Sequence, residues 1–401
     1  MERENPLHPH PSPLTPYPLP LTSYLSPLTP YLSTLKKMNE FKRIAVKIGS
    51  NVLTRPDGTL DITRMSALVD QLAALHRSGV EVIMVTSGAV ASGRSEMKRS
   101  VGQRHLDSVS ARQLFSAVGQ AKLINRYYEL FRDHDIVCGQ VLTTKENFAT
   151  RQHYLNQKHC MEVMLENGVI PIVNENDTIS VTELMFTDND ELSGLIATMM
   201  STDALIILSN IDGVYDGDPQ LPESRVITDI YPENDLNSDS FIQSKKSSCG
   251  RGGMGTKYRI SQKVADEGIA VVIANGRRDN ILLAITSGRH DVPFTTFHPS
   301  TRPTSSVKKW IAHSEGFAKG EIHVNEGAMK ALTSPQASSL LPVGVTKVVG
   351  EFEKDDIVRI VAPDGHTFAV GRIGCDSTRA TALAGKQGGK PLIHYDYLYI
   401  E

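Results

Sequence analysis

The chain has 401 residues, of which 40% are apolar and 22% charged, and its formal net charge is −3 at pH 7. These values are typical of an ordinary globular protein with two or three domains. They give no reason to expect attraction to nucleic acid or membranes, and no apolar run approaches the roughly 20 residues that span a bilayer. The four cysteines form no C-x-x-C pair, so we expect a cytoplasmic protein without a disulfide framework or zinc site.

The first 37 residues differ in composition from the rest of the chain. They are rich in Pro, Leu, Ser, Thr and Tyr, and the sequence SPLTPY occurs twice, at residues 12–17 and 26–31. So many prolines exclude a helix or a central strand and predict a disordered tail over residues 1–37. Two interpretations stay open: a Pro-rich ligand for another protein, or, as we favour, a translated upstream region with Met38 as the natural start.

Between residues 38 and 292, strand-like apolar runs alternate with amphipathic segments. The predicted strands cover residues 44–48, 80–85, 136–142, 169–173, 204–208 and 269–274. One predicted helix begins near Asp61, and others cover residues 113–132, 188–200 and 257–266. This alternation predicts an α/β domain with a mostly parallel sheet between helices. Ligands of such a domain bind beyond the carboxyl ends of the strands.

After a linker rich in Thr, Ser and Pro at residues 293–306, the pattern changes. Short alternating runs at residues 321–324, 345–349, 357–360 and 368–373 are separated by turn residues. They predict a small, mostly β domain over residues 307–401. Basic and acidic residues are roughly equal in number there, so the basic surface expected for RNA binding is missing. We therefore expect a structural or regulatory role for this domain, and RNA binding is the less favoured alternative.

Two lysines lie in glycine-rich turns that can face an anion. Lys47 ends the first predicted strand just before Gly49, and Lys257 follows the turn GGMGT, which opens a helix. Backbone N–H groups at such turns favour phosphate, and two lysines around a triphosphate suit a phosphoryl-transfer enzyme. Neither turn has the P-loop pattern. Taken alone, Lys47 is better explained as a surface residue at a strand end.

Polar motifs follow other strands of the same predicted sheet. They are TSG at residues 86–88, NEND at 174–177 and SNIDG at 209–213, with TDND at 187–190 between the last two. Each has an ordinary explanation: Ser87 could cap a helix, residues 174–177 could form a surface turn, and Thr187 with Asp190 resembles a capping box. Because all these motifs fall at the same end of the sheet as the two lysines, we interpret them as one shared site.

In this order the motifs resemble the amino acid kinase superfamily and, more narrowly, its glutamate 5-kinase family. The resemblance extends from about residue 41 to the C-terminus. The last domain, with GEIHV at residues 320–324 and SSLLPVG at 338–344, resembles the PUA domain of bacterial members. Acetylglutamate kinase and uridylate kinase share the first fold but not this second domain.

The resemblance implies ATP-dependent phosphorylation of the γ-carboxylate of L-glutamate to L-glutamyl 5-phosphate, the first step of proline biosynthesis. The implied catalytic residues are Lys47 and Lys257, which would hold the ATP phosphates, and Asp190, which would orient both lysines. The implied substrate-binding residues are Ser87, Asp177 and Asn189. The implied nucleotide-binding residues are Lys47, Ser209, Asn210, Arg251, Gly252, Gly253, Met254, Gly255, Thr256 and Lys257.

The implied cofactors are ATP and Mg²⁺, and the sequence does not indicate the metal ligands. Ser209-Asn210 departs from the Thr-Asp of many relatives, which leaves the nucleotide affinity open. We also expect a homo-oligomer and feedback inhibition by proline at the glutamate site, with the polar residues 98–112 as a mobile lid. The alternative enzyme is a kinase of the same fold that acts on another carboxylate, a carbamate or a phosphate.

Overall fold

The computed structural model describes residues 41–100, 107–149, 151–180, 186, 188–232, 253–288, 291–301, 311, 318–334 and 338–400. The predicted tail and residues 302–306 of the predicted linker lie outside these ranges. So do Thr187, Arg251 and Gly252, which the sequence singled out. None of the described helices has the length and apolarity needed to cross a membrane.

A mostly parallel eight-stranded sheet forms the larger part of the fold. Its strands are β1 (Arg43–Ile48), β2 (Glu81–Val85), β3 (Cys138–Thr143), β4 (Ile170–Glu175), β5 (Ala204–Ser209), β6 (Asp229–Ile230), β7 (Ala270–Asn275) and β8 (Phe294–Phe297). Across the sheet the order is β3-β4-β2-β1-β5-β7-β8-β6, and only the pairing of β7 with β8 is antiparallel among those described. The predicted α/β class is therefore confirmed.

Helices connect these strands and cover both faces of the sheet. They are α1 (Ser50–Leu53), α2 (Ile62–Arg77), α3 (Ala89–Ser100), α4 (Ser108–Arg132), α5 (Glu146–Ala149), α6 (Arg151–Glu166), α7 (Asn189–Met199), α8 (Met254–Asp266) and α9 (Ile281–Thr286). On β1, Ile44 and Val46 pack into the apolar cluster of α2 and α4, whereas Ala45 packs with α8 on the other side. This alternation is what a strand buried on both faces requires.

The segment 98–112 is helical at both described ends, so the expectation of a mobile lid there is wrong for those ends. Residues 98–100 belong to helix α3, which ends at Ser100. The Asp107 carboxylate caps α4 by accepting from Val109 N and Ser110 N. The two helices pack so closely at Gly93 and Gly119 that a Cβ on either glycine would lie 1.8 Å from a carbonyl oxygen of the other helix. Only glycine fits at these two positions. Residues 101–106 lie outside the described ranges.

A second sheet of five strands follows in the C-terminal part. Its strands are β9 (Gly320–Val324), β10 (Val345–Gly350), β11 (Ile357–Val361), β12 (Thr367–Arg372) and β13 (Leu398–Ile400), in the order β10-β9-β11-β12-β13. Short helices α10 (Glu326–Leu332) and α11 (Ser377–Leu383) accompany it. Ile357 and Val370 share one buried apolar cluster with Ile83 and Phe186, so the small sheet packs against the larger one. The domain limits 38–292, 293–306 and 307–401 stay predictions.

The carboxyl ends of β4, β2, β1 and β5 are neighbours in the sheet, so the turns that follow them meet at one edge. Gly49 N–H donates to Leu208 O at 3.1 Å and ties the turn after β1 to the end of β5. Gly88, in the turn after β2, has φ +103°, a backbone conformation that other residues rarely adopt.

Candidate active site

A cavity of about 620 Å³ opens at this edge of the sheet. It brings together most of the residues that the sequence assigned to one site. Its lining includes Lys47, Gly49, Ser87, Gly88, Arg112, Asn174, Glu175, Asp177, Asp188, Asn189, Asp190, Ser209 and Lys257. Ligands of doubly wound sheets bind at such a position.

Asp190 lies between the two lysines. Lys47 Nζ is 2.5 Å from Asp190 Oδ1, and Lys257 Nζ is 2.7 Å from Asp190 Oδ2. Asp190 has no exposed surface, and Lys47 is only 5% exposed, so the interpretation of Lys47 as a surface residue is wrong. Burial alone would raise the pKa of the Asp190 carboxyl, but the two ammonium groups outweigh it and hold that pKa below its usual value.

Asp188 is the N-cap of α7. Its carboxylate accepts from Asp190 N at 2.8 Å and Glu191 N at 3.0 Å, whereas the Asp190 carboxylate binds lysines. The capping-box explanation, with Asp190 as the reaching residue, is therefore wrong. The second oxygen, Asp188 Oδ2, is buried and has no hydrogen-bond partner among the described residues. Burial and the negative charge of Asp190 raise the pKa of the Asp188 carboxyl.

Asn189 links the ends of β2 and β4. Its Nδ2 lies 2.6 Å from Thr86 O, 2.9 Å from Ser87 Oγ and 3.1 Å from Asn174 Oδ1. Asn174 in turn donates to Gln120 Oε1 at 2.8 Å, so α4 belongs to the same network. Amide groups with this many partners are held in one orientation.

Asp177 does not lie free in the cavity, because Arg112 of α4 contacts it. Arg112 Nε donates to Asp177 Oδ1 at 2.7 Å, and one Nη donates both to Asp177 and to Glu175 Oε2, the latter at 3.1 Å. Ser116, one helical turn further along α4, contacts Asp177 Oδ2 at 3.3 Å. Burial, followed by the charge of Asp177, raises the pKa of the Glu175 carboxyl.

Arg112 is a site residue that the sequence interpretation missed. It was present only as the last position of the predicted lid. The spacing of Arg112 and Ser116, which puts both on one face of a helix, was a usable signal.

The predicted nucleotide-binding residues fall into two groups. Ser209 ends β5 and lines the cavity, and Asn210 is exposed beside it. Gly253 is the N-cap of α8, and as a glycine it has no side chain to cap the free N–H groups there. Met254, Gly255 and Thr256 lie in the first turn of this helix. That turn leads directly to Lys257, as predicted.

A salt bridge that was not predicted joins the turns after β5 and β7. Arg278 binds Asp212 with its Nε at 2.6 Å and one Nη at 2.8 Å, and Asn275 Nδ2 donates to Asp212 Oδ1 at 3.1 Å. The bonds from Arg278 hold the pKa of Asp212 below its usual value. This forked pair fixes the two turns relative to each other.

Comparisons with known proteins agree with this architecture. The model of the amino acid kinase family matches residues 42–275, and that of the PUA domain matches residues 320–392. A glutamate 5-kinase of Bacteroides thetaiotaomicron is 68% identical over 362 residues, which are 90% of this chain and 99% of that protein. The chain belongs to the glutamate 5-kinase family.

Other members of the glutamate 5-kinase family match over the same part of the chain. The protein of Chlorobaculum tepidum is 47% identical, over 90% of this chain and 98% of its own length. That of Caldanaerobacter subterraneus is 35% identical, over 89% of this chain and 97% of its own length. The expected family and the expected C-terminal PUA domain are thus confirmed.

Proposed function

We propose that this chain transfers the γ-phosphoryl group of ATP to the side-chain carboxylate of L-glutamate, giving L-glutamyl 5-phosphate and ADP. The observation that carries the proposal is Asp190, buried between Lys47 and Lys257 in a cavity that also contains the Asp177 carboxylate. Two relatives that this chain matches over nearly their whole length are named glutamate 5-kinases, which supports the same reaction.

The chemistry needs no general base. A glutamate carboxylate, with a pKa of about 4.3, is already ionised at neutral pH and can attack the γ-phosphorus directly. The obstacle is repulsion between an anion and a polyanion. Catalysis then consists of holding the two in line and stabilising the charge on the transferred group, as preorganised cations do.

Lys47 and Lys257 are the cations that meet this need. Their ammonium groups reach one carboxylate from different elements, the end of β1 and the first turn of α8, so Asp190 fixes the distance between them. The N-terminus of α8, at Gly253, adds backbone N–H groups that favour phosphate. We assign ATP phosphates to these groups, and the base and ribose to the turn at Ser209 and Asn210.

The donor set fits Mg²⁺ held jointly by ATP and one carboxylate. Among the described residues no group of three or more His, Cys, Asp or Glu could hold a metal ion by itself. Mg²⁺ at nucleotide sites usually takes one or two carboxylates together with phosphates and water. Asp188, whose buried Oδ2 has no hydrogen-bond partner in the described part of the chain, would supply the carboxylate. When bound, the ion would neutralise part of the phosphate charge.

The opposite end of the cavity would hold the amino acid. We assign the substrate ammonium to Asp177, and a substrate carboxylate to the turn of Ser87 and Gly88. Asn189 would hold that turn in place through its bond to Ser87 Oγ. Proline would compete at this end, since it shares the α-carboxylate and amine of glutamate but has no carboxylate to phosphorylate.

We keep homo-oligomerisation as a prediction. Large apolar side chains are exposed at the β3 end of the sheet, including Val137 at 64%, Leu142 and Leu155. Such a concentration is typical of a surface covered by another copy. RNA binding by the PUA domain stays the less favoured alternative.

A substrate panel tests the proposed reaction. ADP release from MgATP is measured with L-glutamate, L-aspartate, N-acetylglutamate and UMP, each with hydroxylamine to trap an acyl phosphate as a hydroxamate. We expect ADP and hydroxamate in equal amounts with L-glutamate alone. Preferential turnover of any other acceptor would assign the chain to the alternative kinase of the same fold.

A further inference from the structure

We propose that Arg112 binds the α-carboxylate of the amino acid substrate, exchanging part of its contact with Asp177 for that group when the substrate ammonium arrives. This assignment rests on the proposed function. It adds to the site a residue on α4 that recognises the α-carboxylate, which is the carboxylate of glutamate that does not react.

The position of Arg112 supports the assignment. Its side chain is 26% exposed, whereas those of Glu175 and Asp177 are 3% and 8% exposed. The guanidinium therefore lies at the opening of the cavity, above two carboxylates that lie deeper. A ligand that binds Asp177 would therefore lie within reach of Arg112.

The geometry of an α-amino acid supplies the second step. The ammonium and the α-carboxylate are bonded to the same carbon, so a group that binds one has the other within a few ångströms. When the ammonium binds Asp177, the α-carboxylate comes to lie beside Asp177 and Glu175, which would repel it. Arg112, already in contact with both, is the cation placed to reverse that repulsion.

The several N–H donors of the Arg112 guanidinium explain how it could bind the substrate and still neutralise the buried Glu175 carboxylate. One Nη contacts Glu175 Oε2 at 3.1 Å, while Nε and the same Nη contact Asp177. Guanidinium groups hold two carboxylates at once because their donors lie in a rigid plane. The arginine can keep Glu175 and turn its other donors to the substrate.

The other cations of the cavity are committed elsewhere. Lys47 and Lys257 bind Asp190 at the phosphate end. The guanidinium of Arg94 lies 5.6 Å from the centre of the Phe115 ring, over its face. Arg112 is the described cation of this cavity that contacts both Asp177 and Glu175.

Truncated substrates test the assignment, because each lacks one group of glutamate. 4-Aminobutyrate lacks only the α-carboxylate, and glutarate lacks only the ammonium. For Arg112→Gln we expect kcat/KM with L-glutamate to fall about 30-fold or more, the loss typical when one partner of a buried charge pair is removed. The affinity for glutarate should fall similarly, measured as kcat/KM or as Ki against L-glutamate. The value for 4-aminobutyrate should fall far less than that for L-glutamate, because this substrate has no α-carboxylate for Arg112 to bind.

Arg112→Lys keeps the charge but not the fork and should give an intermediate loss with L-glutamate. Arg126→Gln is the matched control, since Arg126 is on the same helix and pairs only with Glu129, at 2.6 Å, among the contacts described. Equal losses with L-glutamate and 4-aminobutyrate, or no loss with either, would overturn the assignment. Failure of the proposed function would show differently: the wild-type chain itself would give no hydroxamate from L-glutamate.

Discussion

Replacing Asp190 by Asn tests the centre of the site, because it removes one charge and nearly no volume. Asp190 is fully buried and is the contact partner of two ammonium groups at 2.5 and 2.7 Å. The substitution leaves two buried lysines facing each other without the carboxylate that both contact. Removal of one partner from a buried ion pair typically costs about 3–5 kcal/mol of stability.

The catalytic loss should be separate from the loss of stability. Without Asp190 the two lysines repel each other and no longer hold the positions at which they meet the transferred phosphoryl group. Loss of one preorganised electrostatic contact of this kind costs about 3–4 kcal/mol, which lowers kcat by about two orders of magnitude or more. MgATP should stabilise Asp190→Asn more than wild type, because its phosphates replace the missing charge.

The assays are urea unfolding, with and without MgATP, and ADP release at saturating substrates. Asp70→Asn is the control: this side chain is 60% exposed and pairs with His134, so the change in stability should stay below about 1 kcal/mol. A variant that is destabilised but keeps a kcat within about twofold of wild type would refute the reasoning. Asp190 would then be a structural residue only.

Four further outcomes follow from the same contacts. Lys47→Ala and Lys257→Ala should each lower kcat by about two orders of magnitude in ADP-release assays, and a near-normal kcat would remove that lysine from the mechanism. Asp177→Asn should raise the KM for glutamate far more than that for ATP; equal changes in both would contradict the ammonium assignment. The folded-state pKa of Asp190 is lowered, so its stabilisation is present above the unfolded pKa of about 3.9 and is lost as the pH falls through the folded value. The difference in unfolding free energy between wild type and Asp190→Asn should therefore shrink below about pH 4 in urea titrations, and a constant difference would contradict the shift. Added proline should lower initial rates, and more glutamate should relieve the effect; unchanged rates at millimolar proline would exclude this inhibition.

Much of the sheet and of the phosphate end could be predicted from the sequence. Runs such as residues 204–208 are apolar throughout, which is the pattern of a strand buried on both faces. Polar motifs after such strands must meet at one edge when the strands are parallel. That rule predicted a shared site near Lys47, whereas the position of Asp190 between Lys47 and Lys257 was implied by the resemblance to the glutamate 5-kinase family.

The contacts that could not be predicted from the sequence depend on where a helix starts and on its path across the sheet. Arg112 lies more than 60 positions from both of its carboxylate partners, and only the path of α4 across the sheet decides which strand end it reaches. The cap of α7 was also misassigned. Asp188 and Thr187 are neighbours, and the start of the helix decides which of them faces its free N–H groups.

One labelling measurement tests most directly the claim that the side-chain carboxylate attacks the γ-phosphorus. L-Glutamate carrying ¹⁸O in its side-chain carboxylate is incubated with MgATP, the chain and hydroxylamine, and the released phosphate is analysed by mass spectrometry. Attack by the carboxylate leaves its oxygen as the bridge of the acyl phosphate, and hydroxylamine then cleaves the carbon–oxygen bond. The account predicts one ¹⁸O atom in each phosphate released with hydroxamate. Phosphate without label would mean that water, not glutamate, attacks ATP, and would contradict the account.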